Sequence, residues 1–164
     1  MTTQLLTTLP ARLGERPRTG QQPPHLQFSD RSPRDVYEEM AQWALVDLPA
    51  QIPFIRQHPT LISVPTSRAL WLDESKPAVD NAFMPPPGSR EFAHLHADGS
   101  WHLVVDEATV ETIIRACWGE RHPWYHRGVL EVLVYAPRDT TELHILKHLV
   151  KVSIEHASNE MLDS

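Results

Sequence analysis

The sequence predicts an α+β fold: one domain in which a mostly antiparallel sheet carries helices packed on one face. Apolar residues alternate on both sides of Asp98-Gly99, a pattern that predicts a β-hairpin over residues 90–105. In other segments apolar residues recur every third or fourth position, which is the period of an amphipathic helix. The 164 residues are enough for one domain with a sizeable core.

The composition of residues 1–31 predicts that this first part of the chain is a disordered, mobile arm. It is rich in proline and arginine, and its few apolar residues follow no period. We therefore place the folded domain at residues 32–160. The N-terminus lacks the basic region and apolar core of a secretory signal, and no run of about 18 apolar residues follows. These features lead us to expect a cytoplasmic protein with no membrane partner.

The domain begins with a helix and a β-rich stretch. Ser32-Pro33 is a typical helix start, and Pro49 is expected to end the apolar period that follows. Residues 60–72 are rich in residues that favour strands.

A long connection, residues 73–89, precedes the hairpin and contains a run of prolines. An unstructured connection of this length is often a binding loop or lid. We expect Phe83 and Met84 within it to cover a bound substrate. A rigid surface crossover is the alternative.

The turn of the hairpin determines which histidines share a face. A three-residue loop over residues 98–100 places His102 opposite His96. Since side chains alternate along a strand, this register also puts His94 on the same face as His96 and His102. The large apolar side chains then share the other face, whereas a two-residue loop would mix the faces. We therefore predict a face with three histidines.

Two further helices and a strand are predicted after the hairpin. Asp106 is a suitable N-cap for a helix that ends near Gly119, and Cys117 on its apolar stripe is expected to be buried. Residues 129–136 predict a strand that is buried on both faces. Asp139 begins the last helix.

The charge balance limits the class of partner. Lys+Arg 15 against Asp+Glu 21 gives a net charge of −6, which argues against nucleic-acid binding. The ten histidines are many for this length, and histidine is both a neutral-pH titrating group and a common metal ligand. We expect a small-molecule substrate; the sequence leaves the oligomeric state open.

Four blocks of the sequence carry a family resemblance. They are Arg90-Glu91-Phe92-Ala93-His94-Leu95-His96, Trp101-His102-Leu103, Cys117-Trp118-Gly119-Glu120-Arg121-His122-Pro123 and Tyr135-Ala136-Pro137-Arg138. In this order they resemble the luciferase domain of bioluminescent fungi and its bacterial relatives. The resemblance runs from about Ser67 to Ala157.

The resemblance implies an oxygenase that oxidises a small enolic, phenolic or pyranone-type molecule. Fungal luciferases oxidise a 3-hydroxy-2-pyranone with dioxygen, through a strained peroxide that loses carbon dioxide. Dioxygen is therefore the expected co-substrate. The family has no known requirement for flavin or ATP. Light emission does not follow from the resemblance.

The histidines suit proton transfer in such a reaction. A neutral histidine is the natural base for a hydroxypyranone, so His94 or His96 is expected to take the hydroxyl proton. A second imidazole, from His102 or His122, or the guanidinium of Arg90, is expected to stabilise the resulting charge. Glu91 is expected on the opposite face, paired with a structural arginine.

A metal site is the alternative for the same residues. His94, His96 and His102, with His122 nearby, offer imidazoles to one Fe, Cu or Zn ion. A zinc ion would favour a hydrolase or lyase, and a non-enzymatic small-molecule or metal-binding module is the third possibility. Trp124 and Tyr125 are expected to line the substrate pocket.

Overall fold

A six-stranded antiparallel sheet is the centre of the computed structural model, which describes residues 9–162. Its strands are β1 (Ile55–Pro59), β2 (Arg68–Leu72), β3 (Glu91–Leu95), β4 (Trp101–Val104), β5 (Gly119–Arg121) and β6 (Glu131–Val134). They lie in the order β1-β2-β3-β4-β6-β5, and each neighbouring pair is antiparallel. The predicted α+β fold with a mostly antiparallel sheet is confirmed.

The two helices after the hairpin begin at side-chain caps, whereas the first helix starts directly after Pro33 without one, because the Ser32 hydroxyl donates to the Pro137 carbonyl instead. The helices are α1 (Arg34–Gln42), which continues through a π-helical turn (Trp43–Asp47) into α2 (Leu48–Gln51), then α3 (Glu107–Arg115) and α4 (Thr140–Ser158). The side chain of Asp106 accepts a hydrogen bond from Thr109 N–H at 2.8 Å, and that of Asp139 accepts one from Glu142 N–H at 2.9 Å. Both predicted N-caps are confirmed. Within residues 9–162, no helix is long and apolar enough to cross a membrane.

The first helix continues past Pro49, where the sequence predicts its end. The π-helical turn ends at Asp47, two residues before Pro49, and the N–H of Leu48 bonds to the carbonyl of Trp43, five residues back. A proline removes one helical N–H and crowds the preceding turn. The wider turn lies where that crowding occurs, and the helix ends at Gln51.

The hairpin of β3 and β4 puts its apolar side chains towards α4. Ala93, Leu95, Trp101 and Leu103 are fully buried in the core, on the face that carries the last helix. Ser153 of α4 donates a hydrogen bond to the carbonyl of Val104 at 2.8 Å, which ties the helix to the strand. The histidines are consequently on the face that the helices leave free.

The face assignment of the hairpin is confirmed, but its register differs by two residues. His102 pairs with His94 rather than with His96, and the loop consists of residues 97–99. Gly99 has a φ of 98°, a left-handed conformation that suits glycine, and its N–H bonds to the carbonyl of His96 at 3.0 Å. A shift by two residues preserves the face, because the side-chain period of a strand is two.

Residues 9–31, which the sequence assigns to a mobile arm, lie against the sheet in the structure. Residues 18–28 form a narrow loop, which we call the strap, closed by a hydrogen bond from Phe28 N–H to the Arg18 carbonyl at 2.7 Å. Gln27 is fully buried and accepts a hydrogen bond from Ala136 N–H at 2.9 Å. Polar anchors of this kind show no apolar period. The rest of the predicted arm, residues 1–8, lies outside the described residues.

The end of α3 differs from the prediction. Cys117 is exposed rather than buried, and its left-handed φ of 67° ends the helix two residues before Gly119. Gly119 instead begins β5, where an added Cβ would lie 2.3 Å from the carbonyl oxygen of Leu133. Close strand packing is therefore the reason for glycine at this position.

Candidate functional site

A cavity of about 380 Å³ lies on the histidine face of the sheet. Three groups of residues line it: the strap, the loop that follows β1, and the strands with the segment after β5. The lining residues are Pro23, Pro24, His25 and Leu26, then Ile62, Ser63 and Val64, then His94, His96, His102, His122 and Glu131. Its volume is within the range of small-molecule sites.

The structure brings together the four histidines that the sequence selects. The rings of His94, His96 and His102 have centroids 4.8–5.0 Å apart, and all three side chains are almost fully buried. His122, which follows β5, lies 5.6 Å from His102 between ring centroids. A fifth imidazole, His25 of the strap, lies 5.1 Å from His102.

A β-bulge in β3 changes the face on which Glu91 lies. Ala93 pairs with Leu70 and Glu91 with Trp71, so Phe92 is an extra residue on β3. One extra residue reverses the alternation of side chains beyond it. The expectation that Glu91 lies on the opposite face, beside an arginine, is therefore wrong.

The carboxylate of Glu91 is buried and fully hydrogen-bonded at one end of the site. It accepts a hydrogen bond from His94 Nδ1–H at 2.8 Å, from the Thr60 hydroxyl at 3.1 Å and from Leu61 N–H at 3.0 Å. A carboxylate partner of this kind fixes which ring nitrogen of a histidine carries the proton.

Glu91 gives direction to a chain of hydrogen bonds through three imidazoles. Because His94 donates from Nδ1, its Nε2 accepts from His102 Nδ1–H at 3.0 Å. The Nε2 of His102 then accepts from His25 Nδ1–H at 2.9 Å. Burial, followed by the neighbouring histidines, lowers the pKa of His102 well below its ordinary value, so this ring is neutral at pH 7.

His96 stands apart from this chain and has one free nitrogen. Ser100 donates its hydroxyl to Asp98 at 2.5 Å, so its oxygen accepts from His96 Nδ1–H at 2.8 Å. The Nε2 of His96 therefore has a lone pair, and it is buried without a hydrogen-bond partner. Burial lowers the pKa of His96 well below its ordinary value, which keeps this lone pair unprotonated at pH 7.

His122 carries its proton on the opposite nitrogen. The backbone N–H of Trp124 donates to His122 Nδ1 at 3.0 Å, so the neutral ring has its proton on Nε2. Burial lowers the pKa of His122 to about 4. At pH 7 His122 is thus a neutral hydrogen-bond donor on the cavity wall.

Glu131 of β6 is a buried acid on the same wall. Its side chain is 3% exposed, Oε1 lies 3.8 Å from His102 Nδ1, and Oε2 has no hydrogen-bond partner. Burial, with the charge of Glu91 as a second cause, raises the pKa of Glu131 to about 8. Glu131 is therefore mostly a neutral carboxylic acid at pH 7, which can donate a hydrogen bond.

Arg90 does not reach this cavity. Its guanidinium donates to the carbonyls of Leu72, at 3.1 Å, and of Asp73, at 3.0 Å, and stacks over the ring of Phe83. The expectation that Arg90 stabilises charge in the histidine site is wrong, because backbone carbonyls already satisfy its donors.

Phe83 and Met84 lie outside the cavity as well. Met84 is buried, and both residues line a separate, open cavity of about 560 Å³ formed by the proline-rich connection. The strap and the loop after β1 occupy the position that we expected these two residues to take over the histidines.

Trp124 and Tyr125 lie beside the site rather than in its wall. The Trp124 ring is 6.2 Å from that of His122, and 42% of the residue is exposed. The Tyr125 hydroxyl donates to Glu107 at 2.5 Å, on the outside of the molecule. Neither residue lines the cavity.

The cavity also contains two groups of residues that fit one metal ion. One comprises His94, His96 and His102, the other His102, His122 and Glu131, and the ligand atoms within each group lie within 4.8 Å of one another. Both groups use His102, whose two nitrogens bond to His94 and His25. A metal ion would therefore displace one of these hydrogen bonds.

Comparisons with known proteins agree with the resemblance. Residues 89–153 match the family model described as Luciferase domain. The luciferases of Armillaria gallica and Armillaria mellea are each 31% identical to this chain over 78 residues, which is 43% of this chain and 29% of either luciferase. The luciferase of Neonothopanus nambi is 28% identical over 106 residues, 57% of this chain and 40% of that protein.

These matches confirm the resemblance to the luciferase family. The matched part covers less than half the length of each of these curated relatives. No solved structure matches the chain. The part that matches the family model holds the hairpin, His122 and Glu131, whereas His25 precedes it.

Sequence reasoning missed His25 and Glu131. Glu131 had a usable signal, because it is the charged residue in an otherwise apolar strand, where an ionisable side chain is costly to bury. His25 had none, since it follows two prolines in a segment without periodicity.

Proposed function

We propose that this protein is a luciferase-like oxygenase that oxidises a small enolic, phenolic or pyranone-type molecule with dioxygen. The observation that carries the proposal is the presence, in one cavity, of a free imidazole acceptor and two neutral donors. The acceptor is His96 Nε2, and the donors are His122 and Glu131.

His96 is the base in this proposal. The substrate O–H bond breaks, its proton forms an N–H bond at His96 Nε2, and the electron pair stays on oxygen as the enolate. His94 and His102 are less suited to this step, because hydrogen bonds already occupy their Nε2 lone pairs. The enolate then supplies the electrons that reduce dioxygen, with formation of a C–O bond to give an organic peroxide.

His122 and Glu131 stabilise the negative charge that develops on oxygen. Each offers a proton without carrying a net charge at pH 7, and burial strengthens such hydrogen bonds because it excludes water. The cavity volume of about 380 Å³ fits one small ring compound.

Oxygen uptake tests this proposal. A 3-hydroxy-2-pyranone is added to the purified protein in an oxygen electrode. The variant His96→Gln keeps a polar group near the Nε2 position but removes the base, and we expect kcat to fall about 100-fold or more. His144→Gln, on the exposed side of α4, is the matched control and should retain full activity. Equal activity of both variants would contradict the role of His96.

A metal-dependent activity is the second candidate, and the two groups of converging ligands support it. His102, His122 and Glu131 have the two-histidine, one-carboxylate composition of many non-haem iron oxygenases, whereas His94, His96 and His102 have a composition used for zinc. Bound iron or copper would supply redox chemistry with oxygen, and bound zinc an activated water for a hydrolase or lyase.

Metal analysis separates the two candidates. Protein purified without chelator is assayed for Fe, Cu and Zn and for oxygen uptake in the same preparation. Uptake that persists after complete metal removal supports the metal-free oxygenase. Stoichiometric zinc without oxygen uptake on enolic compounds would contradict it and favour the hydrolase or lyase.

A further inference from the structure

The strap places a fifth imidazole in the cavity. His25 is 3% exposed, and its Nδ1 lies 2.9 Å from Nε2 of His102. The rings of His25 and His122 have centroids 5.5 Å apart. His25 thus bonds to the ring nitrogen of His102 that His94 leaves free.

Several contacts hold the strap in place independently of His25. The buried Gln27 connects to Ala136 through its side chain, and its N–H donates to the Asp98 carboxylate at 3.2 Å. Asp98 is also the acceptor that orients Ser100, the hydrogen-bond partner of His96. The strap and the hairpin turn are therefore joined at the carboxylate that sets the orientation of His96.

The outer side of His25 is bounded by a second group of charges. Its Nε2 lies 3.7 Å from Oε1 of Glu120, and Glu120 forms an ion pair with Arg16. Arg16 in turn donates to the Tyr135 hydroxyl at 3.1 Å. At 3.7 Å the contact between His25 and Glu120 is too long for a hydrogen bond, and Oε1 of Glu120 has no hydrogen-bond partner, so the hydrogen bond to His102 is what fixes the ring of His25.

We propose that His25 is a positioning residue of the cavity, which caps Nε2 of His102 and so leaves Nε2 of His96 as the free imidazole acceptor. This inference rests on the proposed function, in which His96 is the base. It adds to the site a residue from outside the part that matches the luciferase family model.

The capping contact matters because His102 is central in the cluster. Its ring centroid lies 4.8 Å from that of His96, so an uncapped Nε2 on His102 would offer a second acceptor close to the first. A substrate hydroxyl would then bind in two arrangements, of which one presents its proton to His96. Loss of the cap should therefore lower kcat more than it raises KM.

Two substitutions separate hydrogen bonding from packing. His25→Asn retains an N–H close to the Nδ1 position but is smaller, whereas His25→Leu fills the space without a donor. We expect His25→Asn to retain kcat within about threefold and His25→Leu to lose about tenfold, the usual effect of one buried hydrogen bond. His144→Leu is the exposed control.

The nitrogen NMR signals of ¹⁵N-histidine-labelled protein test the contact without any substrate. The wild type and His25→Asn should show His102 protonated at Nδ1 with a hydrogen-bonded Nε2, and His25→Leu should lose that Nε2 signature. If His25→Leu leaves the His102 signals unchanged, the inference is overturned. Absence of oxygen uptake by the wild type, in contrast, would overturn the proposed function alone.

A third variant covers the case in which His25→Leu does not fold. His25→Ala leaves space for a free imidazole, and we expect added imidazole to restore the His102 Nε2 signature and part of the lost kcat. A folded His25→Ala protein that gains neither from imidazole would contradict the inference.

Discussion

Glu131 combines two properties that stability alone does not favour: it is buried, and one of its carboxyl oxygens has no hydrogen-bond partner. Such a group costs free energy relative to an apolar residue of the same size. The same holds for Nε2 of His96. Both atoms belong to residues that line one cavity, which is the arrangement expected when unsatisfied groups are retained for a ligand.

Glu131 should make the protein less stable as the pH rises. Its carboxyl ionises near 4.5 in the unfolded chain and near 8 in the folded protein, so folding retains a proton between these values. The free energy of unfolding should therefore fall across this range and level off above it. Glu131→Gln removes the effect and should be more stable by about 4 kcal/mol at pH 8, but not at pH 4.5.

Urea unfolding at several pH values measures this difference. Glu38→Gln, which changes an exposed glutamate of α1, is the matched control and should follow the wild type. Parallel pH profiles for the wild type and Glu131→Gln would show that Glu131 ionises normally in the folded protein.

At the scale of elements, the hairpin determines which side chains reach the cavity. Period-two alternation predicts the shared face of its histidines, and the error of two residues in register leaves that face unchanged. The bulge at Phe92 could not be predicted from the alternation, because it interrupts the pattern. Glu91 and the direction of the hydrogen-bond chain were therefore available only from the structure.

A substitution at Gly119 tests the packing of β5 against β6. Its Cβ position is 2.3 Å from the Leu133 carbonyl oxygen, so Gly119→Ala must displace β5 from β6. We expect a loss of about 2–3 kcal/mol in the free energy of unfolding. Gly88→Ala is the control: its φ is 85°, but nothing lies within 4 Å of the added Cβ, so only about 1 kcal/mol of backbone strain is expected. Equal losses, measured by denaturant unfolding, would contradict the packing explanation.

At the scale of the whole molecule, the two faces of the sheet are covered differently. The helical face is apolar, and its period predicts it from the sequence. The other face is covered by the strap and the loop after β1, which lack periodicity and are held by side chains such as Gln27. The position of Arg90 is equally hard to predict, because its partners are backbone carbonyls, which no pattern of residues indicates.

The covered histidine face should make folding sensitive to acid. Burial lowers the pKa of His96, His102 and His122, so the unfolded chain takes up protons below about 6.5 while the folded protein does not. The free energy of unfolding should fall as the pH drops from about 6.5 towards 4. Glu131 has the opposite effect in this range, so the Glu131→Gln background is the suitable protein.

The contribution of a single ring can be measured in that background. His122→Gln should reduce the loss of stability between pH 6.5 and 4, because one of the buried neutral imidazoles is gone. His126→Gln, on an exposed residue nearby, should leave the loss unchanged. Equal acid sensitivity of the two variants would show that burial does not keep His122 neutral.

The cavity presents one free imidazole acceptor together with neutral donors, and the tautomers of its histidines report this arrangement. In ¹⁵N-histidine-labelled wild-type protein at pH 7, we expect His96 to carry its proton on Nδ1 with a bare Nε2, and His122 to carry its proton on Nε2. A His96 ring protonated at Nε2, or a His122 ring protonated at Nδ1, would show that the cavity lacks this acceptor and donor.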